Sequence, residues 1–579
     1  MFHLTRRRLV VALSPSSSLR TGGGQSYSAS RALSSAASSA LSRLGLSSSS
    51  PNAGVYEGTS FQAAGPLIKS INPSTGETIA QVIQASPEDT ERVISSARKA
   101  YLSWRNVSAP NRGLLLREIA QTLRHHKDDL GLLVSLEMGK IYSEGKGEVQ
   151  EIIDVADYAV GLSRSIGGSV VPSEREKHFI TEVSNPLGVV GCITAFNFPV
   201  AVAGWNLALS LITGNAMVWK PSPSTPLTAI AMTKLMSKVF EAHGHSGALA
   251  SLVCGGAQVG EKLVNDKRVD LISFTGSEAR GREVSMAVAG RFGKSILELG
   301  GNNAAIVLPD ANIPLALRSI LFAALGTAGQ RCTTTRRLFL HSSIADSFIE
   351  QLRKAYISTS NRIGDPLDDS SLVGPLHGQD GVQKFKAAIE DAKKEGGEII
   401  VGGRTKDMKG EFKGGNWVEP TIVRFKDATK AEVMKRETFA PILYISTFDT
   451  LKEAIELNNG VEQGLSSTLF TKDMSSAFQW IGPAGSDTGS KLTQPPPPSP
   501  RNTQKSQRAN LTPAVLISAV VNVNGSTSGA EIGAPFGGNK STGWGRESGG
   551  DAWKQYCRWS SCTLNWSDEV ALAQGVKFE

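Results

Sequence analysis

Gly188-Val189-Val190-Gly191-Cys192-Ile193-Thr194 is a short apolar run rich in β-branched residues, and Ala216-Met217-Val218-Trp219-Lys220 is a second one close behind it. Between them, residues 200–211 are apolar almost all the way round a helical wheel. Strands without polar alternation are buried on both faces, and an apolar helix joining two of them packs as a crossover against the sheet. The unit repeats: helix over 227–242, strand over 250–254, helix over 260–265, strand over 270–275. That βαβ alternation calls for a parallel sheet covered by helices on both sides. A second α/β stretch spans 298–472, with strands expected near 304–308, 337–340 and 443–447.

Upstream, helices are expected over 86–106, 111–137 and 148–163. The first opens Ser86-Pro87-Glu88-Asp89: a capping serine, a proline where a missing N–H costs nothing, and two acids at the positive end of the dipole. Residues 167–190 are β-rich, with a hairpin arm at 178–183, and 553–566 reads as a solitary late strand.

With 579 residues, 40% of them hydrophobic and 20% charged, the chain is globular over most of its length. No run of about 18 residues is uninterruptedly apolar; the nearest, 199–219, is broken by Asn206, Ser210, Thr213, Gly214 and Asn215. No membrane span is expected. The net charge of +8 is local. Residues 1–56 carry Arg6, Arg7, Arg8, Arg20, Arg31 and Arg43 without an acid, and residues 490–519 carry Lys491, Arg501, Lys505 and Arg508 without one. These cations outnumber the excess, so the rest of the chain is slightly acidic and gives no reason to expect a nucleic-acid partner.

Cys192, Cys254, Cys332, Cys557 and Cys562 form no CxxC pair, and the histidines fall at no ligand spacing. That excludes a disulfide framework and a structural zinc site, leaves no metal to expect, and fits a reducing compartment. The Ser-rich, acid-free leader has the composition of an organelle transit peptide. A secretory signal needs an apolar core of roughly 7–15 residues, and only Leu9 to Leu13 qualifies here. Mitochondrial matrix import is the expectation, with plastid, cytoplasm and a merely solvated tail as alternatives. The stretch 490–519, with its Pro495–Pro498 run, is expected to be a disordered insert.

Five short motifs carry chemistry. In Gly329-Gln330-Arg331-Cys332, the thiol is useful as a nucleophile only when ionised, which nearby positive charge or backbone N–H groups favour; an isolated cysteine is more often a small buried residue. In Leu297-Glu298-Leu299-Gly300-Gly301, an acid among apolar neighbours is a candidate general base with a raised pKa, or simply a turn residue. Asn197, in Phe196-Asn197-Phe198-Pro199, can donate to an oxyanion or hold a turn. Lys220 ends a buried strand, where such sheets bind cofactors, although most strand-end lysines just reach solvent. Phe274-Thr275-Gly276-Ser277 ends a strand and starts a helix whose N-terminus can face a phosphate, but it is not GxGxxG.

Singly weak, these motifs are specific in their order. Asn-Phe-Pro, Trp-Lys-Pro, Phe-Thr-Gly-Ser, Glu-Leu-Gly-Gly, Gly-Gln-x-Cys and Glu437-Thr438-Phe439-Ala440-Pro441 follow one another as in the aldehyde dehydrogenase superfamily, which the chain resembles from about Phe61 onward, outside 490–519. Residues 195–202, Gly329 to Arg337, and Thr527-Ser528-Gly529-Ala530-Glu531-Ile532-Gly533 are similar to its antiquitin branch, the α-aminoadipic semialdehyde dehydrogenases of lysine catabolism.

The resemblance implies an α/β fold: a Rossmann-like NAD-binding domain (56–164 and 188–296), a catalytic domain (297–489 and 520–549) and a β bridging element (165–187 and 550–579), after a disordered leader at 1–55. It implies that Cys332 attacks an aldehyde, that Asn197 and the Cys332 backbone N–H hold the oxyanion, and that Glu298 activates water. It implies NAD bound by Lys220, Gly276, Ser277, Glu437 and Phe439, although Pro223 offers no carboxylate to repel a 2′-phosphate. For a zwitterionic aldehyde it implies Arg331 on the carboxylate, Glu151 on the ammonium, Phe198 and Trp205 as walls, and the Gly529 and Ala530 amides as a second carboxylate contact; for Arg331 and Glu151 the plain alternative is a surface salt bridge. A homotetramer is expected. A broad-specificity or betaine-aldehyde dehydrogenase, or a catalytically impaired NAD-binding protein, are the alternatives. The family pattern breaks at Gly489 and resumes in register at Val521-Asn522-Val523-Asn524, so 490–519 reads as an unspliced intron or a misdrawn exon boundary.

Overall fold

The computed structural model describes residues 26–487 and 520–570, with side chains from residue 35. The Pro-rich stretch and the arginines at the start of the leader lie outside the described residues.

Six strands form the first sheet, in the order Lys294–Glu298, Leu271–Thr275, Val189–Ile193, Ala216–Lys220, Ala250–Val253 and Val55–Tyr56. The first five are parallel and Val55–Tyr56 is antiparallel. Val189–Ile193 and Ala216–Lys220 are buried at every position, as their unbroken apolar runs require. The helix between them, Ala201–Thr213, is buried throughout and stops at Gly214. There φ is +93°, in the left-handed region, and a Cβ would press on Arg112 Nη1 at 3.0 Å. The chain starts mid-sheet at Val189–Ile193, steps outward through two strands, then returns to the other side at Leu271–Thr275. Ligands bind beyond the carboxyl ends of strands at such a reversal; the loop carrying Asn197 and the turn Gly276-Ser277 both emerge there.

The second sheet runs Glu398–Val401, Thr421–Arg424, Ile442–Phe448, Thr335–His341, Asn303–Val307, Ser466–Phe470 and Val520–Val523. Only Glu398–Val401 is antiparallel. Val520–Val523, from beyond the Pro-rich stretch, lies parallel to Ser466–Phe470 with Ser466 opposite Val520. A third sheet, Val170–Pro172, His178–Pro186 and Cys557–Asn565, is antiparallel and largely exposed. Each large sheet has its own apolar core. Among the described residues, no helix is long and apolar enough to cross a membrane.

Several boundaries differ from the sequence reading. The single helix expected over 111–137 is two, Ala109–His125 and Lys127–Met138. The break at His126 is hidden by apolar periodicity running through it, while Asp128 and Asp129 suit the new N-terminus. The leader expected to be disordered to residue 55 is ordered well before that. Ser26–Arg43 is helical, and Leu41, Leu44 and Leu46 are buried in the first core. Arg43 Nη2 pairs with Asp129 at 2.6 Å, and Asn52–Ala53 pairs with Thr78–Ile83; the surrounding serines masked these few apolar anchors. The domain cut expected after 296 passes through Lys294–Glu298, which belongs to the first sheet. Residues 542–544, expected with the catalytic domain, return to that sheet: Leu297 N donates to Trp544 O at 2.9 Å and Leu299 N to Thr542 O at 2.8 Å. The late strand starts at Cys557, after a 3-10 turn at Ala552–Tyr556.

Candidate active site

A cavity of about 930 Å³ opens between the two large sheets, and every site residue expected from the sequence lines it except Lys220. Cys332, Glu298 and Asn197 therefore meet in one space although they come from three separate stretches.

The loop that delivers Cys332 leaves the helix Ile313–Leu325 through three left-handed residues, Thr327 and Ala328 at φ +53° and Gly329 at +71°. Two of these carry a Cβ, so the turn is strained and needs its surroundings to hold it. Glu144 Oε1 accepts from Thr327 N and from Arg331 Nη2, both at 2.9 Å. Arg331 Nε donates to Thr327 Oγ1 at 2.9 Å, and Gln330 N donates to Thr327 O at 3.1 Å.

Burial pushes the Cys332 thiol up to about 12, with the Glu298 and Glu437 carboxyls adding to it; the Arg336 guanidinium and the Thr333 amide pull the other way. The positive charge and backbone N–H that the sequence reading looked for are present, but burial and the two carboxyls outweigh them. Glu298, the last residue of its strand, is buried, and neither of its oxygens makes a hydrogen bond. Burial and the neighbouring Glu547 carboxyl hold its pKa well above the usual carboxylate range, against Arg546 and the Gly538 amide. Asn197 donates Nδ2 to Gln330 O at 3.0 Å, which fixes the amide against the nucleophile loop.

The Asn197-Phe198-Pro199 loop is anchored from below. Glu148 Oε1 accepts from Val200 N at 2.8 Å and Ala201 N at 3.1 Å, while its Oε2 takes Lys140 Nζ at 2.7 Å. That ion pair is almost wholly buried, and the ammonium sits 4.0 Å from the centre of the Phe198 ring. Glu151, one turn on, faces the cavity without a hydrogen bond. Burial and Glu148 raise its pKa to about 7, opposed by Lys140 and Arg331. Arg331, read from the sequence as a cation awaiting a substrate, already has a partner in Glu144, at side-chain exposures of 13% and 15%. Its Nη2 is engaged there and its Nε by Thr327 Oγ1, and the residue lines the cavity. Trp205 packs against Phe536 at 5.5 Å, and Gly529 and Ala530 close the same end.

At the other end, Lys220 is a buried ammonium donating to Pro221 O at 3.0 Å, its pKa lowered by burial to about 8. Ser224, from the loop just after it, lines the cavity. Gly276 must lack a side chain, because a Cβ would meet the Phe274 ring at 2.8 Å. Ser277 caps Glu278–Gly290 without a side-chain bond, leaving helix N–H groups unclaimed. Glu437 accepts from Gly301 N at 3.1 Å and from Arg336 Nη2 at 3.2 Å. Phe439 lies edge-on to Phe196 with centroids 6.0 Å apart. On the cavity wall, the Glu437 carboxylate and the open helix N-terminus at Ser277 suit a ribose diol and a pyrophosphate, while the Lys220 ammonium lies outside the lining, four residues before Ser224. Among the described residues, no group of three or more candidate ligands could hold a metal.

The sequence reading missed Glu144, Lys140, Glu148, Arg336, Lys384 and His377. Burial raises the Glu437 pKa, and Lys384, which lines the cavity, joins Arg336 and the Gly301 amide in opposing that rise. His377 stacks on Phe196 at 4.5 Å. Only Arg336 was visible beforehand, inside the quoted Gly329 to Arg337 motif.

The model of the aldehyde dehydrogenase family matches residues 61–489. The chain is 51% identical to the α-aminoadipic semialdehyde dehydrogenase of Bos taurus, covering 91% of each, and 49% identical to aldehyde dehydrogenase family 7 member B4 of Arabidopsis thaliana, covering 93% of this chain and 98% of that one. Betaine aldehyde dehydrogenase of Staphylococcus aureus, solved with NAD+, superposes with a TM-score of 0.81 at 29% identity, covering 94% of this chain and 100% of that one.

Proposed function

Because the chain belongs to the aldehyde dehydrogenase family, we propose that it oxidises α-aminoadipate semialdehyde, with other aldehydes, to the carboxylate using NAD, as a step of lysine breakdown. The observation that carries this reading is the convergence of Cys332, Glu298 and Asn197 on one cavity that also holds Glu151 and Arg331.

Glu298, with its raised pKa, takes the Cys332 proton as the thiol attacks the aldehyde carbon. The resulting oxyanion is held by the free N–H of the Asn197 amide and by the Cys332 backbone N–H. Lys220 and Glu437 would hold the ribose hydroxyls of NAD, and the Ser277 helix end its pyrophosphate. NAD bound there supplies the hydride acceptor that leaves an acyl group on Cys332. Glu298, having passed the thiol proton on to solvent, then draws a proton from the water that releases the acid. Arg331 and the Gly529 and Ala530 amides meet the substrate carboxylate, and Glu151 its ammonium.

The acid-free arginines of residues 1–34 favour the mitochondrial matrix. The exposed apolar side chains Val170, Phe179, Trp559 and Leu564 on the third sheet favour a homotetramer. Arg331→Ala tests the substrate assignment. It is expected to raise KM for the amino-acid aldehyde by about tenfold or more, the worth of one charge-assisted bond, and to leave KM for hexanal and betaine aldehyde nearly unchanged. An equal effect on all three would discard the assignment.

A further inference from the structure

Arg336 lies under the nucleophile loop with 1% of its surface exposed, and the mechanism above gives it no task. Its guanidinium meets six acceptors. Nη2 donates to Arg331 O at 2.9 Å and reaches Glu437 Oε1 at 3.2 Å. Nη1 donates to Gly301 O at 2.9 Å and is shared with Thr334 O at 3.2 Å and Cys332 O at 3.5 Å. Nε donates to Thr438 O at 3.2 Å. One rigid fork thus spans the nucleophile loop, the turn after the Glu298 strand and the segment bearing Glu437 and Phe439.

The Arg331 bond has a geometric consequence. A trans peptide carries its C=O and its N–H on opposite sides. With the Arg331 carbonyl accepting from Arg336 Nη2 at 2.9 Å and from Thr334 N at 3.1 Å, the Cys332 N–H points away from the guanidinium, and it makes no hydrogen bond within the described residues. We propose that Arg336 is a positioning residue that turns the 331–332 peptide so that the Cys332 N–H faces the cavity as an oxyanion donor. A lysine could keep the charge but could not hold the carbonyls on both sides of the loop, because its ammonium is a single point and not a planar fork.

The proposal rests on Cys332 being the nucleophile, and two cofactor-free reactions of that thiol test it. Alkylation by iodoacetamide forms an S–C bond and expels iodide, with no oxyanion. Acylation by p-nitrophenyl acetate expels p-nitrophenolate through a tetrahedral oxyanion. The charges facing the thiol are Glu298, Glu437 and Arg336, so Arg336→Lys keeps the local balance. In that variant acylation is expected to fall by about tenfold or more, while alkylation across pH 6–10 stays within about twofold of the unaltered protein. Acylation at the unaltered rate overturns the proposal. So does a proportional fall in both reactions, which would make the arginine a support for the loop and nothing more. Should Arg336→Lys not fold, Arg336→Met, which removes the guanidinium donors, carries the same comparison: the ratio of acylation to alkylation is expected to fall by about tenfold or more, and an unchanged ratio overturns the proposal. Cys332→Ala separates the premise from the proposal: an acylation burst surviving in it would remove the nucleophile assignment whatever Arg336 does.

Discussion

Glu151 shows how a single side chain can carry both specificity and a pH dependence. It has no hydrogen-bond partner, and burial with the Glu148 charge beside it puts its pKa at about 7. Below that pH the group is a neutral acid; above it, a carboxylate able to pair with an ammonium. KM for the amino-acid aldehyde is therefore expected to fall as pH rises through 7, and KM for hexanal to stay flat. Steady-state KM measured from pH 6 to 8.5 checks this, and Glu151→Gln should abolish the slope. At this scale the sequence displayed the residues that the structure brings to one cavity because their types suggest a chemistry: a cysteine after a glycine turn, an acid among apolar neighbours, an amide after a strand end. Their partners could not be read. Arg331 finds Glu144 187 positions away and Asn197 finds Gln330 133 away, distances over which no local pattern extends. The raised pKa of the Cys332 thiol was hidden for the same reason, since it comes first from burial and then from carboxyls at 298 and 437.

Among elements, four of the six strands of the first sheet were legible almost to the residue, while Lys294–Glu298 and the two-residue Val55–Tyr56 were not read as strands. A parallel strand buried on both faces must be an unbroken apolar run, and Ala216–Lys220 has the bounds read for it. The capping serine was equally plain; Asp89, read only as an acid suited to the dipole, also accepts the Ser86 N–H, so the two close a capping box. What failed were elements whose signal is diluted or continuous: the helix break at His126, and the anchors Leu41, Leu44 and Leu46 among serines. These anchors lead to a further test. Each buried leucine contributes about 1.5–3 kcal/mol. A chain starting at residue 35 should melt with the full-length protein, and one starting at residue 47 several degrees lower by circular dichroism. Coincident melting of all three would mean that the segment packs without contributing stability.

For the whole molecule, the architecture sets the division of labour. The first sheet offers Lys220, Gly276 and Ser277 at its carboxyl edge. The second sheet leads into Cys332 and Glu437, and Glu298 ends the strand adjoining the two. The return of residues 542–544 onto Leu297 and Leu299 ties the chain beyond the Pro-rich stretch to the strand that carries the base. That return could not be read locally, because it depends on two stretches far apart in sequence meeting in space. The central claim is that one sulfur carries the acyl group and one acid supplies the water that removes it. Glu298→Gln, mixed with the semialdehyde and NAD, quenched in acid and digested, measures this directly by mass. The expected result is the acyl group on the peptide containing Cys332, accumulating because its release is slowed. Turnover at the unaltered rate, or an acyl group on Cys192, Cys254 or Cys557 instead, would contradict it.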